Sequence, residues 1–161
     1  MLADITLYSL SVWLHVSAAV VGLGATFALS VGFPLALKLD PRNLPYVHHL
    51  SLNINRKLAG PALLVILLTG VYQVIDGDLS FGEPWISATF VIVIVLGGLQ
   101  GAYFIPTDRK LAAMAEKEVA NGATELSPEY HKEAQREGNM GALAGLLILV
   151  AVFLMVIKPG A

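Results

Sequence analysis

The chain consists of long apolar runs separated by shorter polar segments, and four of the runs are long enough to cross a lipid bilayer. A membrane-spanning helix needs about 20 residues, and the four runs cover residues 5–37, 54–75, 85–105 and 137–157. None of them alternates between apolar and polar positions, as the strands of a membrane β-barrel do. Because lipid offers the backbone no hydrogen-bond partners, each run is predicted to be helical. The pattern predicts an all-α fold: one integral membrane domain over residues 1–161, built as a four-transmembrane-helix bundle.

The longest polar segment, residues 107–136, lies between the third and fourth runs. Within it, residues 108–120 predict an amphipathic helix, with apolar positions on one face and Asn121-Gly122 as its end. Ser127 followed by Pro128 is typical of a helix start, and this helix is expected to continue into the fourth span. Pro106 is expected to stop the third span.

Composition and charge agree with a protein that lies in lipid. The chain is 56% hydrophobic and 14% charged, whereas an average soluble domain is about 25% charged. A net charge of −2 gives no basis for nucleic-acid binding. The absence of cysteine excludes disulfides, thiolate metal sites, iron–sulfur clusters and cysteine nucleophiles.

The distribution of basic residues predicts the orientation of the bundle. Of the 10 lysines and arginines, only Lys158 lies outside the two larger loops and the span ends that adjoin them. Membrane proteins carry an excess of lysine and arginine in their cytoplasmic loops. We therefore expect a multi-pass protein of the bacterial cytoplasmic (inner) membrane. Both larger loops and the amphipathic helix would be cytoplasmic, and both termini would lie outside the cytoplasm.

Small residues recur at helical spacing in several spans and predict close helix contacts. The stripes are Ala18, Gly22, Thr26 and Ser30 in the first span, Gly97, Gly98 and Gly101 in the third, and Gly138, Gly141, Ala142 and Gly145 in the fourth. We favour packing within one chain. Contact with a second copy, or with another membrane partner, is the alternative for each stripe.

His15 and Arg56 are the polar residues predicted to bind a cofactor. His15 is the one histidine inside an apolar run, and a neutral imidazole can bind heme iron or another metal ion. Its alternative role is a structural hydrogen bond near the outer headgroups. Arg56 shares a helical stripe with Gly60 and Gly70, so it is expected to face the bundle and to bind a carboxylate such as a porphyrin propionate. Its alternative role is contact with lipid headgroups.

Other metal-ligand types fall in the segments predicted to be loops. His48, His49 and His131 lie on the same predicted side as Asp108 and several glutamates, but this pattern is more typical of solvated loops than of a metal site. All acidic residues fall at span ends or in loops, so no carboxylate pair is expected within the membrane. No catalytic set of residues can be assembled, and whether the protein is an enzyme stays open.

The segment Leu14–Gly24, with the sequence LHVSAAVVGLG, resembles the first helix of a group of small bacterial membrane proteins. The group includes copper-resistance CopD domains, HemJ-type protoporphyrinogen oxidases and uncharacterised four-span relatives. Arg56 followed by Gly60-Pro61 is also similar to this group. The resemblance implies heme b as cofactor, with His15 at the position of the heme-associated histidine. The tryptophan usual after that histidine is absent here, so the uncharacterised relatives fit best.

The sequence leaves two functions open. The first is a small heme- or metal-associated integral membrane protein in redox chemistry or cofactor handling, with His15 as the ligand. The second is a non-enzymatic transport or accessory subunit that docks a membrane partner through its small-residue helix faces. A visible absorption band in the purified protein would distinguish the two.

Overall fold

The computed structural model describes residues 5–38 and 40–160, and the regular structure in these residues is entirely helical. The α-helices are α1 (Leu7–Ala36), α2 (Leu44–Ile54), α3 (Gly60–Asp76), α4 (Pro84–Leu99), α5 (Ile105–Ala120) and α6 (Pro128–Ile157). Helices α2 and α3 belong to one continuous helix, as do α4 and α5. Four continuous helices are long and apolar enough to cross a membrane: Leu7–Ala36, Pro41–Asp76, Pro84–Ala120 and Pro128–Ile157. The prediction of an all-α fold with four long apolar helices is confirmed.

Two of these long helices contain a π-helical turn, at Asn55–Ala59 and at Gln100–Phe104. Each turn is followed closely by a proline, Pro61 or Pro106. In an α-helix the proline ring clashes with the carbonyl four residues earlier, and the wider π-turn moves that carbonyl away from the ring. The expectation that Pro106 stops the third helix is therefore wrong. Residues 108–120 continue that helix instead of forming a separate element, and their cytoplasmic location stays a prediction.

The ends of α5 and α6 follow the sequence signals. Gly122 has φ +81°, a left-handed conformation that ends α5. Ser127 caps α6, because its hydroxyl accepts a hydrogen bond from the Tyr130 backbone N–H at 3.2 Å. The Glu118 carboxylate accepts hydrogen bonds from the Ser127 N–H at 2.6 Å and hydroxyl at 2.7 Å. These bonds hold the start of α6 against the end of α5.

Only some of the small-residue stripes form helix contacts. Gly22 of α1 is buried, and a Cβ added there would collide with the Cβ of Ala62 in α3, so this close contact is confirmed. Gly97 of α4 is exposed, and an added Cβ would meet nothing within 4 Å. The buried face of α4 consists of larger residues, including Thr89 and Val93. The expectation that the Gly97 stripe packs within the bundle is therefore wrong.

A separate core forms at the end of the bundle that contains α2, α5 and the first turns of α6, hereafter the α2–α5 end. Its buried members are Ala36, Leu44, Leu111, Ala115, Leu126, Tyr130 and Ala134. The sequence interpretation treated much of this region as solvated loops. Its helices instead bury apolar side chains against one another, which gives the region a rigid interior in which polar groups can be held.

Candidate functional site

Three metal-ligand side chains meet at the α2–α5 end, and we call them the His/Asp/Glu cluster. His48 comes from α2, Asp108 from α5 and Glu137 from α6. The first two are 0% exposed and Glu137 is 8% exposed. One donor atom of each residue lies within 4.8 Å of the other two. Buried ionisable groups are rare unless they are paired or bind an ion, so this arrangement needs a physical explanation.

Each residue of the cluster has one buried polar atom without a hydrogen-bond partner among the described residues. These atoms are Nδ1 of His48, Oδ1 of Asp108 and Oε2 of Glu137. Leaving one such group unpaired costs about 1–3 kcal/mol. Natural proteins contain few of them, and an ion is one of the usual reasons for their presence. The three residues are therefore candidates to bind an ion, and a proton shared between the Asp108 and Glu137 carboxyl groups is the alternative.

The remaining polar atoms of His48 and Asp108 are held in place by neighbours. His48 Nε2 lies 2.6 Å from the Tyr130 hydroxyl oxygen, and the Asn55 side-chain amide donates to Asp108 Oδ2 at 2.8 Å. The tautomer in which His48 Nε2–H donates to Tyr130 leaves the Nδ1 lone pair free. Metal-binding histidines and carboxylates have such supporting partners, which orient them and set the tautomer.

Both π-helical turns contribute to this support. Asn55 and Gln100 are the first residues of their turns, and the Gln100 side-chain amide donates to the Asn55 backbone carbonyl at 2.9 Å. A chain of hydrogen bonds thus runs from Gln100 through Asn55 to Asp108. Single π-turns inside α-helices are frequent at functional sites. Here they place two buried amides next to the cluster.

A cavity of about 340 Å³, hereafter the large cavity, adjoins the cluster. Glu137 belongs to both, and Asn55 and Gln100 also line the cavity. Its apolar wall includes Phe33 and Phe104. Among the described residues that line it, none is lysine, arginine or histidine. The cluster therefore borders a space large enough for a small molecule.

The donor set and its spacing are compatible with a divalent metal ion. Ligand oxygens and nitrogens lie about 2.0–2.2 Å from zinc in tetrahedral sites, so two of them on one ion are about 3.4 Å apart. The present separation of up to 4.8 Å requires the donor atoms to move closer together by up to about 1.4 Å. One imidazole and two carboxylates suit Mn²⁺, Fe²⁺, Co²⁺ or Zn²⁺. Three protein ligands also leave a coordination position free.

His15 lies half-buried on α1, away from this cluster. Its Nδ1 is 2.8 Å from the Thr69 hydroxyl oxygen, and that hydroxyl donates to the Val65 carbonyl at 2.6 Å. In the tautomer in which His15 Nδ1–H donates to Thr69, the Nε2 lone pair is free. The cavity beside His15 measures about 10 Å³, which is too small for a porphyrin and large enough for one water at most. The role of His15 as a ligand stays a prediction.

Arg56 is exposed, so the expectation that it faces the bundle is wrong. The buried stripe of this helix lies one residue earlier, at Asn55, Ala59, Ala62 and Ile66. Ala62, on this buried stripe, packs closely against Gly22 of α1. The sequence prediction placed the buried stripe on Gly60 and Gly70 instead. The cofactor-binding role of Arg56 itself stays a prediction.

The sequence interpretation missed most of the His/Asp/Glu cluster. It placed His48 in a solvated loop, which is wrong because His48 is buried in α2. The expectation of no carboxylate pair within the membrane stays a prediction, although Asp108 and Glu137 are both buried. A signal was nevertheless present in helical spacing. His48, Ser51 and Asn55 recur every three or four residues, and Asp108 precedes Leu111 by the same interval. Polar residues that share a face with core positions are candidates for burial.

Comparison with known proteins identifies a family but no characterised relative. The family model described as "Predicted integral membrane protein (DUF2269)" matches residues 9–159. The searches of curated proteins and of solved structures gave no match. These comparisons give no evidence for the resemblance to CopD domains or HemJ-type oxidases. They support an integral membrane protein, and any more specific function has to be argued from the site.

Proposed function

We propose, from the premise that the chain belongs to the DUF2269 family of predicted integral membrane proteins, that it binds a divalent metal ion at its His/Asp/Glu cluster. The ligands are His48, Asp108 and Glu137. Two observations carry the proposal: one donor atom of each residue lies within 4.8 Å of the other two, and each residue has a buried polar atom without a hydrogen-bond partner among the described residues. Of the two functions that the sequence left open, these favour the metal-associated protein, with ligands other than His15.

Electrostatics supports a cation at this place. Asp108 and Glu137 bring two carboxylates within 4.8 Å of each other in a buried position. Two negative charges at such a distance repel each other strongly away from water. A divalent cation neutralises both carboxylates and accepts the His48 lone pair at the same time. A single shared proton would relieve the repulsion but would leave the imidazole nitrogen unpaired.

The free coordination position supports a role in chemistry or metal handling. Structural metal sites are closed by four protein ligands, whereas sites that react or exchange keep a position open. Here three protein ligands border the large cavity through Glu137. An iron or manganese ion would support redox chemistry, and a zinc ion would activate a bound water or polarise an oxygen. One histidine and two carboxylates can bind the redox metals iron and manganese as well as zinc.

Metal titration of the purified protein tests the proposal. The chelator-treated protein is titrated with Co²⁺, whose visible absorption reports coordination, and we expect one ion per chain. The variants Asp108→Asn and Glu137→Gln should weaken Co²⁺ binding by at least about 10-fold, because loss of even an outer-shell partner costs that much. His49→Ala is the matched control, since His49 is exposed and pairs with Glu116 at 2.6 Å. Absence of Co²⁺ binding, or equal affinity in all variants, would contradict the proposal.

Heme b at His15 is the second proposal for this chain. Its structural support is the fixed orientation of the imidazole by Thr69, which resembles the support of metal-binding histidines. A porphyrin would have to open the small space beside His15 or lie outside the bundle. The measurement is the Soret band of protein expressed with heme precursor, which should disappear in His15→Ala.

We also propose that the His/Asp/Glu cluster lies near the cytoplasmic face of a bacterial inner membrane. The support is the concentration of basic residues in and beside the segments that form the α2–α5 end. Positively charged loops stay in the cytoplasm. A metal ion at the cluster would then exchange with the cytoplasm.

A further inference from the structure

The large cavity has the dimensions and lining of a binding site for a second molecule. Its volume of about 340 Å³ falls within the range of small-molecule sites, about 300–1,000 Å³. We propose that it binds a neutral amphiphilic molecule taken from the bilayer, such as a long-chain alcohol, with the polar head inward. The proposal concerns the metal-free protein, because Glu137 is also a ligand in the function proposed above, and its test therefore uses chelator-treated protein.

The inner wall of the cavity is polar and buried. It contains Ser51, Asn55, Gln100 and Glu137, which are 7%, 7%, 9% and 8% exposed. Hydrogen bonds connect Gln100 to Asn55, and Asn55 to the neighbouring Asp108. Glu137 adds a buried oxygen without a partner among the described residues. A hydroxyl head that donates a hydrogen bond would find acceptors here.

The charge of the wall selects the class of head group. The cavity lining includes one carboxylate, Glu137, and no positively charged side chain among the described residues. A phosphate or carboxylate placed here would be buried without a counter-charge, which is strongly unfavourable. Phospholipids and fatty acids are therefore disfavoured, and an uncharged head is favoured. The apolar body would contact Leu29, Phe33 and Phe104.

The rim of the cavity shows how such a molecule enters. Helices α1 and α6 are in contact where an added Cβ at Gly145 would meet Phe27 at 3.7 Å. Toward the α2–α5 end, added Cβ atoms at Gly138 and Gly141 would meet nothing within 4 Å. Ser30, Pro34, Gly138, Asn139 and Ala142 line the cavity there and are exposed. The small residues of the two helices thus border an opening instead of a contact.

Photolabelling of the full chain in lipid nanodiscs tests the proposal. The probes are a diazirine-bearing octanol and the matching diazirine-bearing octanoic acid, and the labelled residues are mapped by mass spectrometry. We expect the alcohol to label Leu29, Phe33 or Phe104, and excess unlabelled octanol to prevent this. The acid should label the same residues at least about 10-fold less, because its charge would be buried without a counter-charge. Equal labelling by the acid would overturn the choice of a neutral head.

Filling the cavity provides the matched variants. Gly141→Leu and Gly138→Leu place a side chain in the cavity without a clash at Cβ, whereas Gly97→Leu adds the same side chain at an exposed position outside it. We expect the filling variants to lose the saturable alcohol labelling and Gly97→Leu to keep it. Equal melting temperatures would show that all three are folded. Undiminished labelling in both filling variants, or labelling of the wild type that excess octanol does not prevent, would overturn the proposal.

Discussion

At the scale of single residues, the His/Asp/Glu cluster depends on side chains that would not touch a metal ion themselves. Tyr130 is 0% exposed, and its hydroxyl is the partner of the His48 imidazole. Asn55 holds one oxygen of Asp108 in the same way. These bonds leave Nδ1 of His48 and Oδ1 of Asp108 without a partner among the described residues. The supporting residues therefore determine which atoms are available for binding.

Replacing Tyr130 by phenylalanine tests this dependence. The variant Tyr130→Phe keeps the ring in the core but leaves a second nitrogen of His48 unpaired, so we expect a loss of about 1–3 kcal/mol in the free energy of unfolding. Co²⁺ affinity should also fall by about 10- to 100-fold. Tyr46→Phe is the control, because Tyr46 is 70% exposed. Unchanged melting and affinity in Tyr130→Phe would contradict the supporting role.

Burial of single polar residues was the least predictable property of the chain. A carboxylate next to an apolar run, such as Asp108 or Glu137, is equally compatible with a solvated span end. Its burial depends on which helices cover it, and here those helices come from distant parts of the sequence. His15 was easier to single out, because it interrupts an apolar run.

At the scale of elements, the helices owe their geometry to prolines and small residues at a few positions. The π-turns before Pro61 and Pro106 allow two helices to continue where an α-helix would be interrupted. Gly22 allows α1 and α3 to approach closely at Ala62. The Gly97 stripe, by contrast, faces outward. Small residues alone therefore do not identify a helix contact.

Leucine substitutions at Gly22 and Gly97 distinguish a glycine that lies in a helix contact from one that faces outward. Gly22→Leu should lower the free energy of unfolding by at least about 1–3 kcal/mol, the usual cost of overpacking. Gly97→Leu should have little effect, because its Cβ points into open space. Thermal melting in detergent compares the two variants with the wild type. A larger loss for Gly97→Leu would show that the exposed stripe forms a contact with a second copy or a partner.

The four long helices could be predicted from the sequence, but the second begins at Pro41 and the third ends at Ala120, well beyond the apolar runs 54–75 and 85–105. Apolar run length located the four long helices, and Ser127-Pro128 marked the start of α6. The π-turns could not be foreseen in the same way. A proline after an apolar run is typical of a helix end, and whether the helix widens and continues depends on the packing around it.

At the scale of the whole molecule, the His/Asp/Glu cluster and the large cavity both lie at the α2–α5 end of the bundle. Val74, Trp85 and Ile86 form a second core at the opposite end. The four apolar helices follow from composition and run length, and the family match agrees with them. The arrangement of His48, Asp108 and Glu137 could not be predicted from composition, run length or the family match, because it depends on which helices are neighbours.

Cysteine labelling tests the orientation proposed for the molecule. The chain has no cysteine, so single cysteines can be placed at the exposed positions Ser80 and Thr124. An impermeant thiol reagent added to intact cells should label Ser80→Cys but not Thr124→Cys, because the basic loops are expected in the cytoplasm. Both should react after the cells are opened. Labelling of Thr124→Cys alone in intact cells would show that the orientation is the reverse of the one proposed.

The distribution of the three cluster residues along the chain also has a consequence for biogenesis. His48 and Asp108 lie on α2 and α5, whereas Glu137 lies on α6, which is synthesised after them. During synthesis the cluster therefore stays incomplete until α6 has packed against the other helices. A metal ion that needs all three residues would be captured only after that step. Metal uptake would then act as a checkpoint of assembly, stabilising chains in which α6 has packed and leaving the others open to proteolysis.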